Sequence, residues 1–209
     1  MHAARQADQT GCPPLAGILL ALGIVLVALT MQALPSLADH FQWQRGRENG
    51  VTMLTSHLCH WSWNHIVWDL LAFVVLSLLS LRLMPSRYGI CMLVAAVLIT
   101  LEVKMNQPLL TAYRGLSGVD TALLGLVIAA LWWQPSSDRT GMSPRLLALL
   151  GGCGFIAKTL YEMITGGNVF VEVGQDPFVP VVSSHLVGFI SGLAVGSFRM
   201  WMRPVLNKS

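Results

Sequence analysis

The chain has 209 residues, of which 54% are hydrophobic and only 11% are charged, whereas soluble domains usually carry about a quarter charged residues. Its net charge of +3 is small and its basic residues are dispersed, which argues against a nucleic-acid-binding surface. These properties exclude an ordinary soluble domain and indicate an integral membrane protein, because apolar runs long enough to cross a bilayer recur along the chain.

Six apolar segments predict six membrane-spanning helices in one all-α bundle. They lie near residues 15–34, 65–84, 88–103, 117–133, 145–164 and 181–202. We expect a single membrane domain over residues 15–203, flanked by a short cytoplasmic segment at 1–14 and a cytoplasmic tail at 204–209. The first apolar run is long for a signal peptide and is expected to remain as an uncleaved span.

Basic residues predict the orientation of these spans. An even number of spans places both termini on one side, and that side holds eight Lys and Arg residues against four opposite. The positive-inside bias therefore predicts cytoplasmic termini. The longest connection, at about residues 35–64, carries four aromatic residues and is expected to rest in the outer membrane interface: Phe41, Trp43, Trp61 and Trp63.

Ser117 lies between Leu116 and Gly118 at the start of the fourth apolar segment. One interpretation is a helix cap, with the Ser117 hydroxyl on a backbone N–H and Asp120 placed favourably in the first turn. A cap does not explain the glycines on either side of the Leu116-Ser117 pair. The other interpretation is a nucleophile, which requires a base to remove its proton.

His185 is the candidate base. A histidine inside a membrane segment is costly, so it normally faces the protein interior and has a partner. Gly188, Gly192 and Gly196 follow at every fourth residue, which allows another helix to come close. Alternatively, the glycines only pack and His185 bonds a carbonyl. Because the fourth and sixth helices both begin at the outer side of the membrane, Ser117 and His185 are expected at similar depth.

A third polar group surrounds the start of the second segment: His57, His60, His65 and Asp69. His and carboxylate ligands suit zinc, so a metal-dependent membrane hydrolase is an alternative. The spacing is not HExxH and no glutamate stands where such an enzyme needs its base. We therefore expect neither a metal nor another cofactor. Lys158 and Glu162, one turn apart in the fifth segment, are expected to form a structural pair.

Together these patterns resemble the rhomboid family of intramembrane serine proteases. The shared motifs are H-x4-H-x3-N/D at His60, His65 and Asp69, GxSG at Gly115 to Gly118, and H-x2-G-x3-G at His185, Gly188 and Gly192. They occur in the family's order, and the likeness covers about residues 55–196. The short six-span form and the Y-x-GLSG sequence are similar to rhombosortases, which are associated with proteins that bear a C-terminal Gly-Gly-type anchor.

The resemblance implies a catalytic dyad, with Ser117 as nucleophile, His185 as general base and no third carboxylate. It implies that His65 and the residue at position 69 help the Ser117 N–H to bind the oxyanion. Glycines would shape the active-site loop and the helix contact. The supporting residues would be His60, His65, Asp69, Gly115 and Gly118, and the helix-packing residues Gly188 and Gly192.

Asp69 departs from the family, which usually has asparagine at this position. An ionised carboxylate cannot donate to an oxyanion. Two alternatives follow: an ionised Asp69 pairs with His65, one turn earlier, and favours an imidazolium that donates; or a protonated Asp69 donates directly.

The function implied is hydrolysis of a peptide bond in or near the transmembrane segment of a membrane-anchored protein. The partners would be that segment and the lipid bilayer. The resemblance also implies a bacterial inner-membrane location, with the active site opening toward the periplasm. A catalytically silent rhomboid-like protein that binds membrane helices is the alternative, and Asp69 is its best support.

Overall fold

The computed structural model of the chain describes residues 14–134, 142–167 and 181–206, with the backbone alone for 199–206. The predicted N-terminal segment at 1–14 lies outside the described residues except for Pro14. Of the predicted tail at 204–209, only the backbone of 204–206 is described.

The described elements are, in chain order, helix α1 (Leu15–Ala33), helix α2 (Pro35–Phe41), strand β1 (Trp43–Gln44), helix α3 (Thr52–Thr55), a 3-10 turn (Ser56–Leu58), helix α4 (Trp63–Leu83), helix α5 (Pro85–Asn106), strand β2 (Ala112–Tyr113), helix α6 (Ser117–Trp132), helix α7 (Pro144–Thr165) and helix α8 (Val182–Leu206). A long helix stands at each of the six positions predicted from hydropathy.

Four of these helices, α1, α4, α5 and α7, are long and apolar enough to cross a membrane. Helix α6 and the segment Val182–Phe198 of α8 are apolar but shorter. A helix of 16 residues such as α6 extends only about 24 Å, less than a hydrocarbon core of about 30 Å. The membrane character is therefore confirmed, while the count of six spans stays a prediction for α6 and α8.

Local sequence signals fix several helix ends. Ser62 precedes α4, and its side chain accepts a hydrogen bond from the backbone N of His65 at 3.1 Å. Helices α5 and α7 begin with Pro85 and Pro144, which suit the first turn because proline has no N–H to satisfy. Helix α7 ends at Thr165 and is capped by Gly166, whose φ of 66° is the left-handed conformation that glycine adopts without strain.

The connection between α1 and α4 contains structure that hydropathy did not predict. Its strand β1 pairs antiparallel with β2, with Trp43 opposite Tyr113 and Gln44 opposite Ala112. The described chain is mostly helical, as predicted, and this short pairing was not foreseen because two-residue strands have no periodicity to detect. Trp43 is fully buried, whereas Trp63 is 57% exposed, so the predicted interfacial aromatic residues divide between core and surface.

Arg114 joins this connection to the segment that leads into α6. Its guanidinium forms an ion pair with Asp39, donates to Gln42 Oε1 at 2.9 Å and lies 4.6 Å from the centre of the Trp61 ring. It also donates to the carbonyl of His60 at 3.3 Å. The loop over residues 35–64 is thus fastened beside the start of α6.

Helix α6 is at the centre of the fold. Ten of its sixteen residues are buried, whereas only Ala28 and Met31 are buried among the nineteen of α1. The outward faces of α1, α4 and α7 expose leucine, isoleucine and valine side chains, as expected of helices that face lipid. Polar groups held at the start of α6 are therefore surrounded by the other helices.

Candidate active site

Ser117 and His185 meet where α6 and α8 begin. Ser117 is the first residue of α6 and His185 lies in the first turn of α8. His185 Nε2 is 3.0 Å from Ser117 Oγ, and His185 is 7% exposed. The structure therefore brings together the two residues that were expected from the sequence to lie at similar depth.

Glycine makes this approach possible. A Cβ atom on Gly188 would overlap the carbonyl oxygen of Gly118, and one on Gly192 would overlap that of Ala122. Gly118 is close-packed as well, since a Cβ there would lie 2.8 Å from Ile99 Cδ1. In these positions α8 packs directly on the backbone of α6, as small-residue stripes allow in membrane helices.

Thr121 also links the two helices, a role that was not predicted from the sequence. Its Oγ1 lies 2.8 Å from the Gly118 carbonyl oxygen and 2.9 Å from the His185 carbonyl oxygen. The available signal was its position one turn after Ser117, on the same helix face. The hydroxyl links the backbone of the histidine to the turn that carries the serine.

Asp69 stands at the centre of a second cluster. Its Oδ2 accepts hydrogen bonds from the backbone N of Leu116 at 3.0 Å and of Ser117 at 3.2 Å. His60 Nε2 lies 3.2 Å and His65 Nε2 3.3 Å from the same oxygen. Because Asp69 accepts here, this geometry fits the alternative in which it pairs with histidine better than the one in which it donates. The resemblance assigns the Ser117 N–H to the oxyanion, but here this N–H donates its hydrogen bond to Asp69.

Gly115 closes the loop against this cluster. Its φ of 130° lies in the region that favours glycine. A Cβ atom there would lie 3.2 Å from Cε1 and 3.3 Å from Nε2 of His65. Glycine is therefore required both by the backbone conformation and by the imidazole packed against it.

His57 does not join this cluster. Its Nε2 lies 3.0 Å from the Ala96 carbonyl oxygen and 3.2 Å from Thr100 Oγ1. Burial lowers the pKa of His57 to about 4, so it is neutral near pH 7. Burial also lowers the pKa of His60, although the Asp69 carboxylate opposes this change. Among the described residues no group of three or more His, Cys, Asp and Glu side chains is arranged to hold a metal ion.

Glu162 approaches the other side of His185. Its Oε2 lies 3.5 Å from His185 Nδ1 and 2.7 Å from Lys158 Nζ, and Glu162 is 2% exposed. The Lys158 pair was predicted from sequence, whereas the contact with His185 was not. A carboxylate beside the histidine differs from the dyad without a third carboxylate that the resemblance implied.

Ser117 does not cap the start of α6. The N-cap residue is Leu116, whose own side chain makes no capping hydrogen bond, and the side chain that accepts from the backbone N of Leu116 and Ser117 is that of Asp69. The capping interpretation of Ser117 is therefore wrong, because Ser117 is itself the first helical residue. Asp120 does occupy the first turn, where its charge would suit the helix dipole. It is buried, and its Oδ1 has no hydrogen-bond partner among the described residues.

Comparison with known families agrees with the motifs. The sequence model of the Rhomboid domain matches residues 47–202, which is most of the chain. The chain therefore belongs to the rhomboid family, whose members are generally intramembrane serine proteases. A search of curated proteins found no match. The family prediction is confirmed, and the rhombosortase subgroup remains a prediction.

Proposed function

We propose that this chain is an active intramembrane serine endopeptidase that cleaves a membrane-anchored protein in or near its transmembrane segment. The observation that carries the proposal is the 3.0 Å approach of His185 Nε2 to Ser117 Oγ, within a helical bundle of the rhomboid family. A serine hydroxyl is a weak nucleophile until a neighbouring base takes its proton, and this distance is that of a hydrogen bond.

Each partner then has a defined role in the reaction. His185 Nε2 takes the proton of Ser117 as Oγ bonds to the substrate carbonyl carbon, and the carbonyl oxygen becomes an oxyanion. His185 gives that proton to the leaving nitrogen when the peptide bond breaks, which leaves an acyl-enzyme on Ser117. A water molecule, deprotonated by His185, attacks the acyl carbon, and its proton returns to Ser117.

The surroundings of Asp69 Oδ2 support an oxyanion site next to Ser117. This oxygen has two backbone N–H groups and two imidazoles within 3.3 Å, so the carboxylate holds His65 beside the Ser117 backbone, where an oxyanion would form. We assign His65 as the side-chain donor to the oxyanion and Asp69 as the residue that holds His65 and the Ser117 backbone. His60 and Gly115 complete this support.

The substrate class follows from the subgroup resemblance. The Y-x-GLSG sequence from Tyr113 to Gly118 supports processing of C-terminal Gly-Gly-type sorting anchors. Ser117 and His185 lie at the beginnings of their helices, beside the loop that Arg114 fastens. Water would reach the dyad at this end of the bundle. With the predicted topology, this end faces the periplasm and both termini face the cytoplasm of a bacterial inner membrane.

A catalytically silent membrane-helix-binding protein is the second candidate. Asp69 favours it, because a carboxylate that occupies the Ser117 N–H opposes a second negative oxygen nearby. The hydrogen-bonding distance between Ser117 and His185 favours the protease.

Cleavage of a single-span substrate by the protein in liposomes tests the proposal. The substrate carries a Gly-Gly-type C-terminal anchor. Ser117→Ala and His185→Ala should each abolish cleavage, and the double variant should be no worse, because the two residues act as one unit. Ser191→Ala is the matched control, since Ser191 is buried on α8 and donates to Gly188 O; it should cleave like the parent.

Two outcomes would contradict the proposal. Cleavage that survives Ser117→Ala and stops with a chelator favours the metal-dependent hydrolase. Failure of the folded parent to cleave or to react with a fluorophosphonate probe, together with retention of the substrate helix, favours the silent protein.

A further inference from the structure

We propose that Glu162 is a positioning residue for His185, so that the site works as a triad of Ser117, His185 and Glu162. This inference rests on the proposed function, because it concerns the base of the same reaction. The observation that carries it is the position of the Glu162 carboxylate, which is buried on α7 with Oε2 3.5 Å from His185 Nδ1.

The tautomer of His185 creates the need for an acceptor. Nε2 faces the Ser117 hydroxyl and must be unprotonated to take its proton. The single proton of the neutral imidazole then resides on Nδ1. Nδ1 is buried and makes no hydrogen bond within the described part of the chain. A buried N–H without an acceptor costs free energy, and the carboxylate 3.5 Å away is placed to supply one.

The distance of 3.5 Å between Glu162 Oε2 and His185 Nδ1 is slightly longer than that of a hydrogen bond. Hydrogen bonds between nitrogen and oxygen span about 2.7–3.2 Å, and catalytic hydrogen bonds are often long in unliganded sites and shorten when substrate binds. Helices α7 and α8 are already packed together, since the Phe155 and Phe189 rings stack with centroids 4.2 Å apart. A shortening of about 0.3 Å would bring the contact between Glu162 and His185 into hydrogen-bonding range.

Lys158 makes Glu162 suited to this task. Its Nζ lies 2.7 Å from the same Oε2, and its side chain is 24% exposed while that of Glu162 is 2% exposed. A buried carboxylate without a cation tends to bind a proton instead of remaining charged. The lysine thus favours the ionised carboxylate, which can accept from Nδ1–H and stabilise the imidazolium that forms when Ser117 loses its proton.

A series at position 162 separates positioning from a merely structural ion pair. Glu162→Leu removes the acceptor, and Glu162→Gln keeps an acceptor oxygen without the charge. Lys158→Met breaks the same ion pair but leaves the carboxyl group, which still offers an acceptor oxygen if it binds a proton. Glu162→Leu should lower kcat by about a hundredfold or more at unchanged KM, within the contribution usual for a general base. Glu162→Gln should recover part of this loss, and Lys158→Met should lose less than Glu162→Leu.

The same variants should show the effect without a substrate. Reaction of Ser117 with a fluorophosphonate should slow in the same order as kcat, because the probe also needs an activated hydroxyl. Glu48→Gln is the matched control, since it breaks the ion pair that Glu48 makes with Lys104 at 3.2 Å, on another part of the fold; it should react like the parent. Thermal melting confirms that each variant is folded.

The outcomes also separate this inference from the proposed function. If folded Glu162→Leu loses no more kcat than Lys158→Met while Ser117→Ala is inactive, Glu162 has no role beyond the ion pair and the dyad stands alone. If Ser117→Ala still cleaves, the proposed function fails and the triad fails with it.

Discussion

One methyl group added at Gly188 should remove most of the cleavage activity, because α8 lies directly on α6 at this position. The Cβ atom of Gly188→Ala would lie 2.6 Å from Thr121 Oγ1 and 3.0 Å from the carbonyl carbon of Gly118, and would overlap the Gly118 carbonyl oxygen. Ordinary contacts of a carbon atom are about 3.5–4.0 Å. The two helices must therefore separate by roughly 1 Å to accept it.

That separation acts on the reacting pair. His185 lies three residues before Gly188 on the same helix, and its Nε2 is now 3.0 Å from Ser117 Oγ. A retreat of about 1 Å takes this contact beyond hydrogen-bonding distance, and such a misplacement can lower the rate by roughly a hundredfold. The assay is kcat/KM on a transmembrane substrate in liposomes, with circular dichroism to establish that the helices remain.

The matched control is Gly152→Ala on α7. A Cβ atom there meets nothing within 4 Å, so this variant should cleave like the parent. Gly192→Ala should behave like Gly188→Ala, because its Cβ would lie 3.0 Å from Ala122 Cα. If folded Gly188→Ala cleaves at the parent rate, backbone contact between α6 and α8 does not set the distance from serine to histidine.

Two further predictions concern Asp69 and His57. Asp69→Asn should stay active with an altered pH dependence of kcat. Asp69→Leu should lower kcat by about a hundredfold to a thousandfold, the usual scale for losing oxyanion stabilisation. If folded Asp69→Leu cleaves as fast as the parent, Asp69 has no part in the oxyanion site. The pKa of His57 falls from 6.5 to about 4 on burial, so the unfolded chain binds more protons between these values. The free energy of unfolding should therefore drop by roughly 3 kcal/mol as the pH falls through this window. The melting temperature of His57→Gln should depend less on pH there, and an equal dependence in both proteins would contradict the assignment.

Hydropathy located the helices well because a span needs a long apolar run whatever surrounds it. It placed their ends less well: the third segment was predicted over 88–103, whereas α5 covers Pro85–Asn106. Proline is tolerated in a first turn, so the helix begins before the apolar run. The pairing of Trp43 with Tyr113 was not predictable, since two-residue strands leave no pattern.

The active site, like the fold, could be predicted from the sequence only in part. The meeting of Ser117 and His185 followed from their shared depth and from the glycines on α8. The contacts of Glu162 with His185 and of Asp69 with the Ser117 backbone depend on how separate helices rotate against each other. Sequence spacing specifies which residues share a face within one helix, but it does not specify which face meets the neighbouring helix.

The most direct test of the central claim is to map the covalent adduct of a fluorophosphonate on the folded, membrane-embedded protein by mass spectrometry. The account predicts a single modified serine, Ser117, with labelling that slows strongly in His185→Ala and is unchanged in Ser191→Ala. A protein that cleaves its substrate while Ser117 stays unmodified, or that labels equally fast without His185, would contradict it.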